Sequence, residues 1–512
     1  MNRFIPLLFA VTVQLSAQST PRQTSEARFW LQVPPGQEPL RDVNVSAGSA
    51  TPAPWEKDAA VRERLHDVIF PVRWWDWKEM TVSFTPVKDG TVDLVLNGPW
   101  EEEKPGSSFR KEVLWDSISA EGTVILNGGF EEQSGPAPDS WKLWYGEYPA
   151  ADTWPRAGAE PMMGKSCAVT WQNRPLFQTQ RLKAGQKVTL KLHARAATLP
   201  DFVAPKRLGK NTPAHEAVKR ITRGVNLGNC WEAPPPYSWG IRYTVEDIDR
   251  IADEGFDHIR VPVAWHHNLM DSPEGPRFHP DLIKDLEPVL RRALDRKLHI
   301  LLDWHHFDDL TTAPAAHRAR FVKVWESIAR HFKSWPPELY LELLNEPKDA
   351  LTTEVANPIY AETIAAIRKI DPQRIILVSP GKWGDIRELD HLRLPDGDDR
   401  IVVTVHCYEP FFFTHQDANW VNLKGLRGIT YPGPPATPFV LPEALRENSG
   451  LRSFVDGYNT LPADRNPCSS NTIRELFDLA REWSDAFGRP VHLGEFGSHN
   501  AADLESRIRY TR

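Results

Sequence analysis

Hydrophobic and polar positions along this chain follow two rhythms, and the change falls near residue 205. Before it, short runs alternate between polar and apolar. Lys78-Glu79-Met80-Thr81-Val82-Ser83-Phe84 alternates from Glu79 onward, and Thr91–Leu96 and Gln186–Leu192 do so or nearly so. A period of two turns one face of a strand toward a core. Lys88-Asp89-Gly90, between two such runs, has the composition of a hairpin turn. No helical period is visible between about 65 and 200, so this part is predicted to be all-β, one sandwich or two. After 205, short apolar runs alternate with amphipathic helical segments such as Val245–Asp253 and Leu282–Asp295. The predicted strands are 223–227, 256–263, 299–304, 339–344, 374–378, 401–405 and 490–493. Strand followed by helix, repeated, means a parallel sheet with crossover helices, and seven such units point to an α/β fold of the (β/α)8 barrel type. The segment from Asp417 to Asn466 reads as a long connection rich in Pro, Gly and aromatics after the sixth strand. Connections of that length are usually functional, and this one is expected to shape the cleft at the barrel's working face.

Composition narrows the class only a little. The 512 residues suffice for about two to four domains. A net charge of −7 is mild for this length and gives no reason to expect nucleic acid or an anionic membrane as a partner. The N-terminus has one basic residue, Arg3, then an apolar stretch to Val13 and a small residue at Ala17. Residues 1–17 read as a secretory signal peptide, which makes the mature protein exported. No later stretch is long and apolar enough to span a bilayer. Cys167, Cys230, Cys407 and Cys468 lack the C-x-x-C spacing of a structural zinc site. Disulfides and free buried thiols both remain open for them, as does the oligomeric state.

The chemistry is concentrated at the predicted strand ends. The second strand carries Arg260; the third ends in Asp303-Trp304-His305-His306, the fourth in Asn345-Glu346, the sixth in His406-Cys407-Tyr408 and the seventh in Glu495. The C-terminal ends of barrel strands are where such folds hold their active sites. Two carboxylates there supply a general acid/base and a nucleophile, the pair needed to cleave a glycosidic bond.

From about Ala214 to Arg512 the chain resembles glycoside hydrolase family 5, the cellulase family. The resemblance rests on Gly224-Val225-Asn226-Leu227-Gly228-Asn229, on Gly255–Val263, on Leu343-Leu344-Asn345-Glu346-Pro347 and on Leu493-Gly494-Glu495-Phe496-Gly497, in that order. It implies a retaining mechanism with Glu346 as acid/base and Glu495 as nucleophile. It further implies that Asn345 bonds the sugar 2-hydroxyl, that Arg260 and Tyr408 keep Glu495 ionised, and that His406 orients Glu346. His305 and His306 are expected as sugar contacts or supports; as metal ligands they would lack a third ligand at a recognisable spacing. Trp231, Trp239, Trp265 and Trp383 either stack on sugar rings or fill the core, with Trp231 and Trp383 the expected substrate contacts. His266 and His267 either line the cleft or lie on the surface. No metal and no cofactor is implied. The family's eighth strand and last helix have no counterpart before Arg512, so residues 208–512 are expected to form a barrel short of one strand. Cys407 stands where an aromatic is usual.

The N-terminal half is less specific. Val124-Ile125-Leu126-Asn127-Gly128-Gly129-Phe130-Glu131-Glu132, with Pro136 and Trp141 after it, resembles the opening of jelly-roll carbohydrate-binding modules. On that basis residues 119–204 are expected to form one such module and residues 26–118 a separate β-sandwich. Eleven of the 20 tryptophans precede residue 205; exposed on a sheet face they would bind glycan, and buried they are core. The expectation for the whole is a secreted, modular, retaining endo-β-1,4-glucanase acting on β-linked polysaccharide or oligosaccharide. A β-mannanase or other β-glucan hydrolase, a non-catalytic glycan-binding protein and a metal-dependent hydrolase are the rivals.

Overall fold

The computed structural model describes residues 25–33, 41–45, 49–51, 63–98, 112–135, 137–143, 161–171, 174–197, 205–234, 239–270, 272 and 275–512. The predicted signal peptide lies outside them. The chain divides into two units, residues 19–204 and 205–512.

The first unit is built from two antiparallel sheets. One orders its strands 49–51, 63–72, 25–33, 90–97, 176–182 and 142–143; the other orders 41–45, 78–85, 188–196, 113–121 and 168–170. The alternating runs are strands, as predicted: in Val188–Ala196 every second side chain is buried. The expected division at 118/119 does not hold. Leu176–Leu182 pairs along Gly90–Leu96, and Val188–Ala196 lies between Lys78–Phe84 and Val113–Glu121. Residues 26–118 and 119–204 therefore share both sheets. The segment Val124–Glu132 is a loop, with Val124 and Leu126 exposed. Trp30, Trp74, Trp75, Trp115 and Trp141 are all buried. These tryptophans are core residues and offer no exposed sheet face to a ligand.

Two carboxylates, one buried and one exposed, fasten loops in this unit. Asp116, fully buried, accepts from the backbone amides of Ser117, Met162 and Met163 at 2.5, 2.7 and 3.0 Å. Glu131 accepts from the amides of Lys165 and Ser166 at 2.9 and 3.0 Å.

The second unit carries a seven-stranded parallel sheet curled into a nearly closed barrel. Its strands, in spatial and chain order, are Gly224–Asn226, His258–Val263, His299–Trp304, Leu339–Glu342, Ile376–Val378, Ile401–His406 and Val491–Glu495. They match the predicted runs. His299–Trp304 and Leu339–Glu342 are buried almost throughout, as parallel strands covered on both faces must be. Across the seam between first and last strands, Asn226 Nδ2 donates to the Gly494 carbonyl at 3.1 Å. Helices cover the outside. Val245–Asp253 begins with a capping box between Thr244 and Asp247, and Pro280–Asp295 buries Leu282, Leu286, Val289 and Leu290 on one stripe. Among the described residues no helix is long and apolar enough to cross a membrane. All four cysteines are buried free thiols.

The predicted long connection is more than a loop. Within it a helix forms at Ser449–Thr460, and Leu423, Leu426, Ile429, Tyr431, Leu451, Val455 and Tyr458 make a small core of their own with Phe413 and Cys468. The helix Leu504–Thr511 closes onto it through Tyr510, whose ring lies 5.6 Å from Phe413 and 5.5 Å from Tyr431.

Candidate active site

Arg260, on the second strand, organises the barrel's upper interior. It is fully buried, so each of its N–H groups needs an acceptor. Nε and Nη2 donate to Glu342 at 2.9 and 2.7 Å in a forked pair. Nη2 also reaches Asn345 Oδ1 at 2.7 Å and Asp303 at 3.0 Å. Nη1 donates to Glu495 Oε1 at 2.7 Å and to Asn226 Oδ1 at 3.1 Å. One guanidinium thus ties together strands one, two, three, four and seven. Asp303, Glu342 and Asn226 were not among the expected site residues. The sequence did carry a signal for Glu342: an acid inside an apolar strand needs a buried cationic partner.

Glu495 reaches the site through an irregularity. On the seventh strand Leu493 pairs with Val405, yet His406 pairs with Glu495, so Gly494 is the extra residue of a β-bulge. A bulge re-aims the side chain that follows it. Here it turns Glu495 toward Arg260 and Tyr408, whose hydroxyl donates to Oε2 at 2.8 Å. Burial raises the Glu495 carboxyl's pKa; the positive fields of His406, Arg260 and His305 and the Tyr408 hydrogen bond outweigh it and hold the group well below the usual carboxylate range. Burial pushes Glu342 the other way, above that range, with Asp303 adding to the rise and Arg260 opposing it.

Glu346 follows the fourth strand. Its Oε1 lies 2.9 Å from His406 Nδ1, and that nitrogen is 3.8 Å from Glu495 Oε2. Donor atoms of Glu346, His406 and Glu495 all lie within 4.8 Å of one another. With an oxygen of each carboxyl inside that span, the spacing is on the side of a nucleophile and an acid/base, for which about 5–5.5 Å between groups is typical, rather than the roughly 6.5–9.5 Å of inverting pairs. These three residues are also the group among the described residues able to gather around a metal ion. His305 and His306 are not part of it.

The remaining expected residues divide. Asn345 is buried beside Arg260, and its amide donates to the Trp304 carbonyl at 3.1 Å. His305 Nδ1 lies 3.3 Å from Asp303; burial lowers its pKa, but Asp303 and Glu495 raise it more. Burial brings His306 down to about 4. Trp383 is 48% exposed and Trp239 is 51% exposed, the latter edge-on to His306. Lys382 and Trp383 both have left-handed backbone, at φ 51° and 61°, and the Trp383 amide donates to the Pro347 carbonyl at 3.0 Å. Trp231, by contrast, is buried with its indole N–H on Asp285 at 3.1 Å, and Trp265 is wholly buried. Neither presents a face to a ligand, which corrects the expectation for Trp231. His266 is half-buried and packs near Trp304, and His267 is exposed. Exposed Trp420 stands edge-on to His499 at 5.3 Å, and His499 is fastened to Thr414 and Gln416.

A barrel with two close carboxylates at its strand ends, one fixed as an anion and the other beside an imidazole, defines the class of a two-carboxylate glycosidase. The profile of cellulase (glycosyl hydrolase family 5) matches residues 217–511, and the chain belongs to that family. Endoglucanase C of Acetivibrio thermocellus is 30% identical over 301 residues, covering 56% of this chain and 84% of that protein. Endoglucanase H of the same organism is 27% identical over 311 residues, covering 60% of this chain; the match spans only 29% of that longer protein. Among solved structures, Thermotoga maritima Cel5A in complex with cellobiose is 32% identical, with a TM-score of 0.50, covering 59% of this chain and 86% of that one.

Proposed function

We propose that this chain is a retaining endo-β-1,4-glucanase that cleaves β-linked glucan by double displacement. The observation that carries the reading is the Glu346–Glu495 pair, short in spacing and unequal in environment. In the first step Glu495, held as an anion by Arg260 and Tyr408, attacks the anomeric carbon. Glu346 gives its proton to the departing glycosidic oxygen. In the second step Glu346 takes a proton from water, which displaces Glu495 from the sugar. Asn345, fixed by Arg260, would hydrogen-bond the attacked sugar's 2-hydroxyl and support the transition state. The glucan preference draws its support from the endoglucanases among its relatives and from the cellobiose complex of Thermotoga maritima Cel5A. The insertion 417–466 and exposed Trp239, Trp383 and Trp420 are suited to border a cleft for several sugars. Export through residues 1–17 belongs to the same reading, since a polymeric glucan is met outside the cell.

The test is reducing-sugar release from soluble cellulose, mixed-linkage glucan, mannan and xyloglucan, with the chain run beside its Glu495→Gln variant. Release from the first two that vanishes in the variant, with the β-anomer forming first by NMR, is the expected result. Preferential release from mannan would move the substrate class. No release from any glycan by soluble, folded protein would overturn the reading.

A further inference from the structure

His406 uses only one of its ring nitrogens within the active site. Nδ1 faces Glu346 and Glu495, but Nε2 is buried and has no hydrogen-bond partner among the described residues. Among the other buried polar atoms that share that condition, Thr404 Oγ1 and His492 Nδ1 belong to the same pair of strands. The three belong together. Thr404 is opposite His492 in the ladder between the sixth and seventh strands, and His406 follows two residues on, on the same face. Gly494, the bulge residue, borders both Thr404 and His406. A Cβ placed on it would come within 2.5 Å of Thr404 Oγ1 and 3.3 Å of His406 Nε2. A hydroxyl and a ring nitrogen thus both border the backbone of Gly494, at a position no side chain occupies. Buried polar groups rarely stay unsatisfied, and a single bridging water satisfies two of them as well as direct contact does.

Charged and titratable groups face the His406 ring from several strands. Glu342 and Glu346 approach from the fourth strand and its end, Arg260 from the second, Glu495 and His492 from the seventh, and Asp385 is the bridge partner of His406 at the end of the fifth. Desolvation lowers the His406 pKa, but Glu495 and Glu346 raise it further. None of these groups is bonded to Nε2. Thr404 is the neutral group placed to accept from it.

Resting on the double-displacement reading, we propose that Thr404 is a positioning residue for the acid/base: its hydroxyl accepts, through one bridging water, from the Nε2–H of His406. The neighbouring carboxylates favour the imidazolium form, which donates from both nitrogens; once the ring is neutral its one proton is held at Nε2, and Nδ1 is then the acceptor that faces Glu346 and takes a hydrogen bond from its protonated carboxyl. When Glu346 has given that proton to the leaving oxygen, the same Nδ1 carries no proton to compete for the carboxylate's next one, which comes from water. Without Thr404 the ring proton moves to Nδ1, donates to the Glu346 carboxylate and favours its ionised form, so the acid is lost at lower pH.

The experiment compares the full chain with Thr404→Val, which keeps shape and removes the hydroxyl, and Thr404→Ser, which restores it. Imidazole ¹⁵N NMR of histidine-labelled protein reads where the His406 proton sits. The expected result is Nε2–H in the parent and in Thr404→Ser, and a shift toward Nδ1–H in Thr404→Val. In kinetics, Thr404→Val should lose about tenfold in kcat/KM on cellotetraose, part of what general acid catalysis supplies. Its high-pH limb should move to lower pH, while cleavage of 2,4-dinitrophenyl β-cellobioside, whose leaving group needs no acid, changes little. An unchanged ring-nitrogen signal in Thr404→Val, or equal losses on both substrates that Thr404→Ser does not recover, would overturn the proposal. A parent that cleaves neither substrate would sink the double-displacement reading instead, and the NMR result would still decide the role of Thr404.

Discussion

Asp116 in the sandwich and Glu495 in the barrel are both carboxylates drawn in from solvent, and their partners set them apart. Asp116 is satisfied by backbone amides of its neighbour and of one loop. Glu495 is held by side chains from two other strands, Arg260 and Tyr408. Amides bound to a carboxylate fix chain geometry and are lost only when the loop opens. Side chains bound to it leave the backbone free and tune the charge of an oxygen that still faces a cleft. Burial of an acid therefore says little by itself; what satisfies it says whether it staples or reacts.

The comparison breaks most sharply at Glu495. Glu495→Gln should lower kcat by on the order of 10⁴-fold with the barrel still folded but melting lower for want of the Arg260–Glu495 pair, whereas Asp116→Asn should leave kcat unchanged; steady-state assays beside thermal melts check both. Arg260→Ala comes next. It strands Glu342, Asp303 and Glu495 without their cation, and removing one member of a buried ion pair costs roughly 3–5 kcal/mol, readable as a lower urea midpoint for the barrel unit. In the sandwich, Asp116→Ala leaves amides of residues 162 and 163 unsatisfied and should cost about 1–3 kcal/mol, with proteolytic nicking near 162–166 and undiminished hydrolysis.

Acid sharpens the contrast with a smaller, graded effect. Burial holds His492 and His266 near 3, so both are neutral in the folded barrel. Their unfolded forms take up protons below about pH 6.5, which favours the unfolded state as pH falls from there toward the folded values. Glu495, lowered on folding, adds stability that is present above its unfolded value of about 4.3 and is lost below it. Both terms have the same sign. Calorimetry from pH 7 to pH 4 should show the barrel's transition move down first.

The barrel was legible because parallel strands covered on both sides are continuous apolar runs, and because its catalytic residues sit directly past those runs. Glu346 and Glu495 needed only their place at a strand end to stand out. The pairing of the sandwich was not legible. Thr179 bonds Asp93 across 86 residues of chain, and alternation shows which side of a strand is buried without naming its partner. Trp231 reads like any cleft aromatic until the structure shows Asp285 holding its indole N–H. The small core around Leu426 and Tyr458 was hidden because its apolar residues follow no single period. Gly494 was visible as a motif residue, but its role as a bulge depends on the register with His406, which only pairing reveals.

The insertion's attachment to the last helix has a kinetic consequence. Ser506 Oγ accepts from the Tyr431 amide, Arg509 Nε donates to the Tyr431 carbonyl, and Tyr510 fills the space beside Phe413. Segments nearly 80 residues apart are thereby fastened at one residue, and neither can loosen without exposing the other. Hydrogen exchange should find residues 423–458 and 504–511 opening as a single cooperative block, at one rate. The insertion would then breathe with the helix Leu504–Thr511, independently of the strands that carry the two glutamates.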